Sequence, residues 1–167
     1  MEIVSCMLCI SCLGLISGPL LVIYYMRQHE KKAQEQAYFQ RLRSLDSLRQ
    51  LTPVDFERFT ANLFTQMGYL VKPTRTTGDE GVDLFLTKGN WTAIVQCKRY
   101  KGDVGQPVIR DLYGALLHNR ANEAYLITTG KFSLPAQKWA AGKPIHLIDG
   151  SMLVKWLDFF GGRSQPA

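Results

Sequence analysis

Three residues near the middle of the chain have the types and spacing that hydrolytic chemistry needs: Asp83, Gln96 and Lys98. Residues Trp91–Arg99 read as a strand, so Ile94, Gln96 and Lys98 share one face while Ala93, Val95 and Cys97 take the other. Gln96 and Lys98 stand near the end of that strand, where a sheet opens to a cleft. Lys88-Gly89-Asn90 reads as a turn back to a strand over Val82–Thr87, which places Asp83 roughly opposite the same end. A carboxylate, an amide oxygen and an ammonium group then converge. Phosphodiester hydrolysis uses such a set. The carboxylate is a hard ligand for a divalent cation, and the ammonium can orient the attacking water and stabilise the developing charge. Gln96 offers the cation only a neutral carbonyl oxygen, a weaker ligand than Glu.

Taken singly, each residue has a plainer reading. Asp83 could cap the start of its strand, and Gln96 could hydrogen-bond within the sheet. Lys98 with Arg99 and Lys101 could form a solvated basic rim that binds phosphate without cutting it. Cys97, on the opposite face, reads as core.

The elements that must position these groups follow from pattern. Thr52-Pro53 is a helix start, followed by an apolar stripe of Phe56, Phe59, Leu63, Phe64 and Met67 and a stop at Gly68. Strands are expected over Tyr69–Lys72, Val82–Thr87 and Trp91–Arg99, then a helix announced by Pro107, a strand over Ala124–Thr128, and a short helix over Leu134–Ala141. A strand over Ile145–Ile148 and a closing helix over Ser151–Phe160 complete the order. The fold class is α/β, a mixed β-sheet flanked by helices. Thr128-Thr129-Gly130 ends a strand and either lines the cleft or turns the chain.

At this point the residues match a family. GDEGVDL, VQCKRYKGDVGQPVIRDLYGAL, LITTGKFS and HLIDG, in that order, resemble the Mrr-like restriction endonuclease domain of the PD-(D/E)XK nuclease superfamily. The resemblance spans about Leu51 to Leu157. It implies a restriction-endonuclease-like sheet, a DNA substrate and Mg²⁺ dependence, in the manner of a type IV restriction enzyme acting on foreign or modified DNA. It implies that Asp83 and Gln96 are metal ligands, Gln96 replacing the usual Glu, and that Lys98 is catalytic. Glu57, in DFERF, falls on the acidic position of the first helix, where it would reach the metal through water; an exposed helix residue is the even alternative. Arg75, Lys101, Arg110 and Lys131 are the candidate phosphate contacts. The family often has a second Gly where this chain has Glu80, which with Asp79 makes the loop acidic.

The amino-terminal part differs in kind. Residues 3–26 carry no charge, and 24 apolar or small residues suffice to cross a bilayer core about 30 Å thick. With Glu2 and no basic residue before it, and Tyr24-Tyr25 closing it, the segment reads as a retained transmembrane anchor rather than a cleaved signal peptide. All 20 basic residues lie after position 26, against 13 of the 14 acids. The positive-inside rule therefore places the carboxyl-terminal part in the cytoplasm beneath a cytoplasmic or inner membrane, and the basic excess favours phosphate-rich partners. Gly14 and Gly18 form a GxxxG that could pair two anchors into a homodimer. Residues 27–50 lack Gly and Pro and place Tyr38, Leu42, Leu45 and Leu48 at helical spacing, so a helical stalk is expected, either exposed or packed on the domain. The expected division is 1–26 anchor, 27–50 stalk, 51–160 nuclease-like domain and 161–167 flexible tail.

Cys6, Cys9, Cys12 and Cys97 make no paired CxxC, and His29, His118 and His146 are scattered, so neither a zinc site nor a disulfide framework is indicated. Two functions remain beside the nuclease: a membrane-tethered DNA-binding module that kept the fold and lost cleavage, and a membrane-surface interaction domain using its charge on anionic lipid.

Overall fold

The structure is a computed structural model and describes residues 21–31, 33–34, 37, 42, 44–74 and 81–161. The chain divides into two compact units, Met1–Arg41 and Leu42–Ala167. In the first, residues 21–31 form a helix, α1, with exposed side chains. Among the described residues no helix is long and apolar enough to cross a membrane. Most of the expected anchor, including Gly14 and Gly18, lies outside the described residues, as do positions 162–167 of the expected tail.

The second unit begins with a feature that the helical spacing of 27–50 hid. The helix is not continuous: Leu42 is buried and non-helical, and Ser44, extended at φ −114° and ψ 150°, caps a new helix, α2 (Leu45–Gln50). The Ser44 hydroxyl accepts the Ser47 N–H at 3.2 Å, and the Ser47 hydroxyl accepts the Ser44 N–H at 3.3 Å. This reciprocal cap satisfies amide groups that a helix start otherwise leaves open. Leu48 is fully buried, so α2 packs on the domain.

Thr52 caps α3 (Pro53–Gln66) by accepting the Asp55 N–H, with Pro53 at the first position. Its stripe of Phe56, Phe59, Leu63 and Phe64 is buried, each fully buried aromatic contributing about 1.5–3 kcal/mol. Gly68, at φ +84°, lets the chain leave the helix.

The sheet contains β1 (Leu70–Pro73), β2 (Leu84–Lys88), β3 (Trp91–Lys98), β5 (Glu123–Thr128) and β7 (Ile145–Ile148), in the order β1-β2-β3-β5-β7. The first three run antiparallel, whereas β3, β5 and β7 run parallel. Helices α4 (Gln106–His118) and α5 (Leu134–Ala140) connect the parallel strands, and α6 (Gly150–Gly161) closes the domain. Ile94, Ala124 and Leu126 pack with Ile109, Leu112, Leu116 and Ala136 under α4 and α5. On the other face Phe64 of α3 packs edge-on against Tyr125 of β5 and Trp156 of α6. Both faces are covered, which is why β3 buries four successive residues, Ala93 to Gln96, instead of alternating. A two-stranded parallel pair, β4 (Asp103–Val104) with β6 (Lys131–Phe132), adds to the expected order.

Candidate active site

The three parallel strands deliver their carboxyl ends to one edge. Lys98, the last residue of β3, pairs with Thr128, the last of β5, and Ile127 pairs with Ile148 at the end of β7. Open α/β sheets bind ligands at such an edge. Asp83 reaches it from the other direction, immediately before β2, whose Leu84 pairs with Val95. The Asp83 N–H also bonds to the Val95 carbonyl, at 2.8 Å, so the pairing slips by one residue there. At this slip Asp83 Oδ2 accepts the Cys97 N–H at 2.6 Å, supplying an acceptor that the ending strand no longer offers.

Around this fixed carboxylate the sequence candidates gather. Burial pushes the Asp83 carboxyl above its ordinary 3.8, against the opposing pull of the Cys97 N–H and the Lys98 ammonium. Burial likewise raises Glu57, on α3, above 4.5, and the neighbouring Asp83 charge adds to the rise. The Asp83 charge disfavours ionisation of Glu57, while the Lys98 ammonium favours ionisation of Asp83. Asp83, Glu57 and Lys98 are thus within each other's electrostatic reach, directly or through Asp83.

Gln96 is 4 % exposed, and its Oε1 is buried without a hydrogen-bond partner among the described residues. A buried amide oxygen left unsatisfied costs about 1–3 kcal/mol, so this atom calls for a ligand. Its Nε2 lies against Gly81, which sits at φ +78° two residues before Asp83; a Cβ on Gly81 would collide with that nitrogen. Gly81 is therefore a site residue that spacing alone did not single out, although it ends the GDEG segment. No group of three His, Cys, Asp or Glu side chains suited to a metal occurs among the described residues. Two carboxylates and one amide oxygen are donors of the kind that would suit a hard divalent cation; Asp83 and Gln96 would hold it, with Glu57 behind them.

The remaining candidates divide. Cys97 is no nucleophile: burial pushes its thiol well up, and the Asp83 charge adds to this. Lys101 and Lys131 are exposed and follow β3 and β5 at the same edge, while Arg110 is exposed early in α4. Arg75 lies outside the described residues, as do Asp79 and Glu80. Thr128, Thr129 and Gly130 are buried, so they turn the chain and do not line the cleft. The Thr128 hydroxyl accepts the Gly130 N–H at 3.0 Å, and the Thr129 hydroxyl donates to the Tyr100 carbonyl at 2.9 Å.

Residues 48–157 match the profile of a protein family described as restriction endonuclease. The chain belongs to this restriction endonuclease family. Over 119 residues it is 33% identical to the type IV methyl-directed restriction enzyme EcoKMrr of Escherichia coli (strain K12). That alignment covers 66% of this chain and 39% of EcoKMrr, so the chain spans about two fifths of its relative's length. Among solved structures, the DNA modification-dependent restriction endonuclease AspBHI is similar with a TM-score of 0.58 and 18% identity, over 77% of this chain and 36% of that one. A crystal structure of a protein of unknown function matches with a TM-score of 0.55 and 19% identity, over 63% of this chain and 65% of that one. Both share the fold.

Proposed function

We propose that this chain is a membrane-anchored, divalent-metal-dependent DNA endonuclease that hydrolyses phosphodiester bonds of foreign or modified DNA on the cytoplasmic side. The observation that carries the reading is the Asp83 carboxylate, held by the Cys97 N–H at the carboxyl edge of the sheet within electrostatic reach of Glu57 and Lys98. A bound Mg²⁺ would neutralise the scissile phosphate and lower the pKa of water. The chain's own groups do the rest. The Cys97 N–H fixes the Asp83 carboxylate, Gly81 leaves room for the Gln96 amide, and the Lys98 ammonium stabilises negative charge on the phosphate and orients the attacking water. The anchor rests on the uncharged run 3–26, whose described end, Leu21–Met26, is an exposed apolar stretch of α1. Two active sites, brought together by pairing of anchors, would allow both strands to be cut.

The test is incubation of the purified chain in detergent with methylated and unmethylated plasmid and Mg²⁺, beside Lys98→Ala. The wild type is expected to cleave and the variant to lose about 100-fold or more. Equal cleavage by both, or none by the wild type with any divalent metal or methylation state, ends the reading. A second reading, a DNA-binding module without cleavage, is favoured by one observation: Gln96 stands where a stronger carboxylate ligand would serve. It requires salt-sensitive DNA binding that survives Asp83→Asn.

A further inference from the structure

Beside the catalytic edge, α2 and the segment after β3 border an open cleft of about 550 Å³ lined by Asp46, Arg49, Gln50 and Lys101. We infer that this cleft is a subsite for the phosphodiester backbone of the substrate, holding the strand that flanks the cut phosphate. The inference rests on the nuclease reading, and it adds Arg49 and α2 to the DNA-binding surface.

Three observations support it. The first is charge. Among the described lining residues Arg49 and Lys101 face one acid, Asp46, whose side chain is 87% exposed and whose oxygen stands 3.8 Å from Arg49 Nη1. Such an exposed pair contributes little, so a phosphate, which Arg can grip with two parallel N–H groups, displaces it.

The second is rigidity. Arg49 Nε donates to the Thr129 carbonyl at 3.3 Å, and Arg99 Nη1 donates to the Arg49 carbonyl at 2.9 Å, so α2 is tied to the ends of β3 and β5. Gly130 approaches the Tyr100 and Gly102 carbonyls so closely that any side chain there would collide with Gly102. Lys101 is therefore carried on a braced loop. Cations held in place before binding lose less entropy on meeting a ligand.

The third is position. Lys101 follows Lys98 by three residues, across a tight turn in which the Tyr100 N–H donates to the Lys98 carbonyl at 2.9 Å, so the cleft adjoins the end of β3. The cleft is open, and among the described residues its lining has no aromatic ring on which a base would stack. It suits backbone contact and not base reading.

The test uses the full chain in detergent and a labelled duplex oligonucleotide in EDTA, so that binding is read without cutting, at 50 to 200 mM salt. Lys101→Gln and Arg49→Gln are each expected to weaken binding and to reduce the slope of log affinity against log salt by about 0.9. Asp46→Asn is expected to strengthen binding, up to about five-fold. Lys101 and Asp46 are exposed, so these two variants decide the matter even if Arg49→Gln unfolds. Unchanged slopes with an unchanged Asp46→Asn affinity overturn the subsite and leave the nuclease reading standing. Failure of the wild type to bind any duplex sinks that reading and the subsite with it. Loss of binding to phosphatidylglycerol vesicles without loss of duplex binding also overturns the proposal, because the cleft would then serve lipid headgroups.

Discussion

Asp83 Oδ2 accepts the backbone N–H of Cys97 at 2.6 Å at the open end of the β2–β3 pairing. A main-chain donor thus fixes the carboxylate without discharging it, and one oxygen remains for a ligand. The same bond works against the burial that raises the Asp83 pKa, but does not cancel it. Glu57 is raised for the same first reason, burial, and then by Asp83 itself. The site holds two carboxylates in tension, and the tension can be measured.

Asp83→Asn keeps an acceptor for the Cys97 N–H and removes the charge. A carboxyl whose pKa is raised by folding opposes folding only when ionised. The opposition is absent below the ordinary values of 3.8 and 4.5 and grows as pH rises through the raised ones. The variant is therefore expected to melt at a higher temperature than the wild type at pH 7 in EDTA, and at the same temperature near pH 3, while cleavage falls about 100-fold or more. Mg²⁺ should raise the wild-type melting temperature at pH 7, less so as the pH falls and the carboxylates protonate, and should leave the variant unmoved. A variant that melts lower at pH 7 would refute the account.

Gly81 and Gly89 both have positive φ, +78° and +60°, but only Gly81 abuts a functional side chain. Alanine at either position takes on left-handed strain of about 1–2 kcal/mol. Gly81→Ala should also displace the Gln96 amide and cut cleavage at least about ten-fold, each such factor being about 1.4 kcal/mol of barrier. Gly89→Ala meets nothing within 4 Å and should keep its activity per folded molecule. Comparable activities for the two, normalised by circular dichroism, would remove Gly81 from the site.

Gln96→Glu tests the unusual ligand directly. A third carboxylate, placed where Gln96 is 4 % exposed and near two that already resist ionisation, should lower the melting temperature in EDTA, and more at pH 8 than at pH 5. A divalent ion should more than restore it and should bind more tightly, as titration calorimetry would show. If Mg²⁺ affinity does not rise, Gln96 does not contact the ion.

How much of this was readable in the residues depended on the range of the interaction. The cap at Thr52 with Pro53 behind it and the β2–β3 hairpin that brings Asp83 to the end of β3 are written in local pattern, and the observed β7 (Ile145–Ile148) has the expected ends. The break at Ser44 was hidden because the leucine spacing of 42, 45 and 48 fits both one long helix and a buried residue followed by a capped turn. The buried state of Gln96 and the role of Gly81 arise from contact across a strand pair, which no spacing along one strand reveals. The β4–β6 pairing joins residues nearly thirty apart, with two residues in each strand, too short to leave a period.

Asp149, in the segment HLIDG, shows how a motif residue at the catalytic edge can be tested for a structural role. Its Oδ1 accepts the Met152 N–H at 2.8 Å and the Ser151 hydroxyl at 2.7 Å, at the start of α6. Burial pushes its pKa up, but those hydrogen bonds, with some help from Lys131, outweigh burial and hold it below 3.8. A depressed carboxyl stabilises the fold above its ordinary value, and that contribution is lost as pH falls through the folded value. Asp149→Ala should therefore cost about 1 kcal/mol at pH 7, in the range of a lost cap, and less near pH 2, by urea denaturation. Asp149→Asn retains an acceptor for the Met152 N–H and should keep most of both stability and cleavage. If instead the asparagine variant stays as stable as the wild type but loses cleavage, the carboxylate at the end of β7 acts on the substrate, and the site extends one strand beyond Lys98.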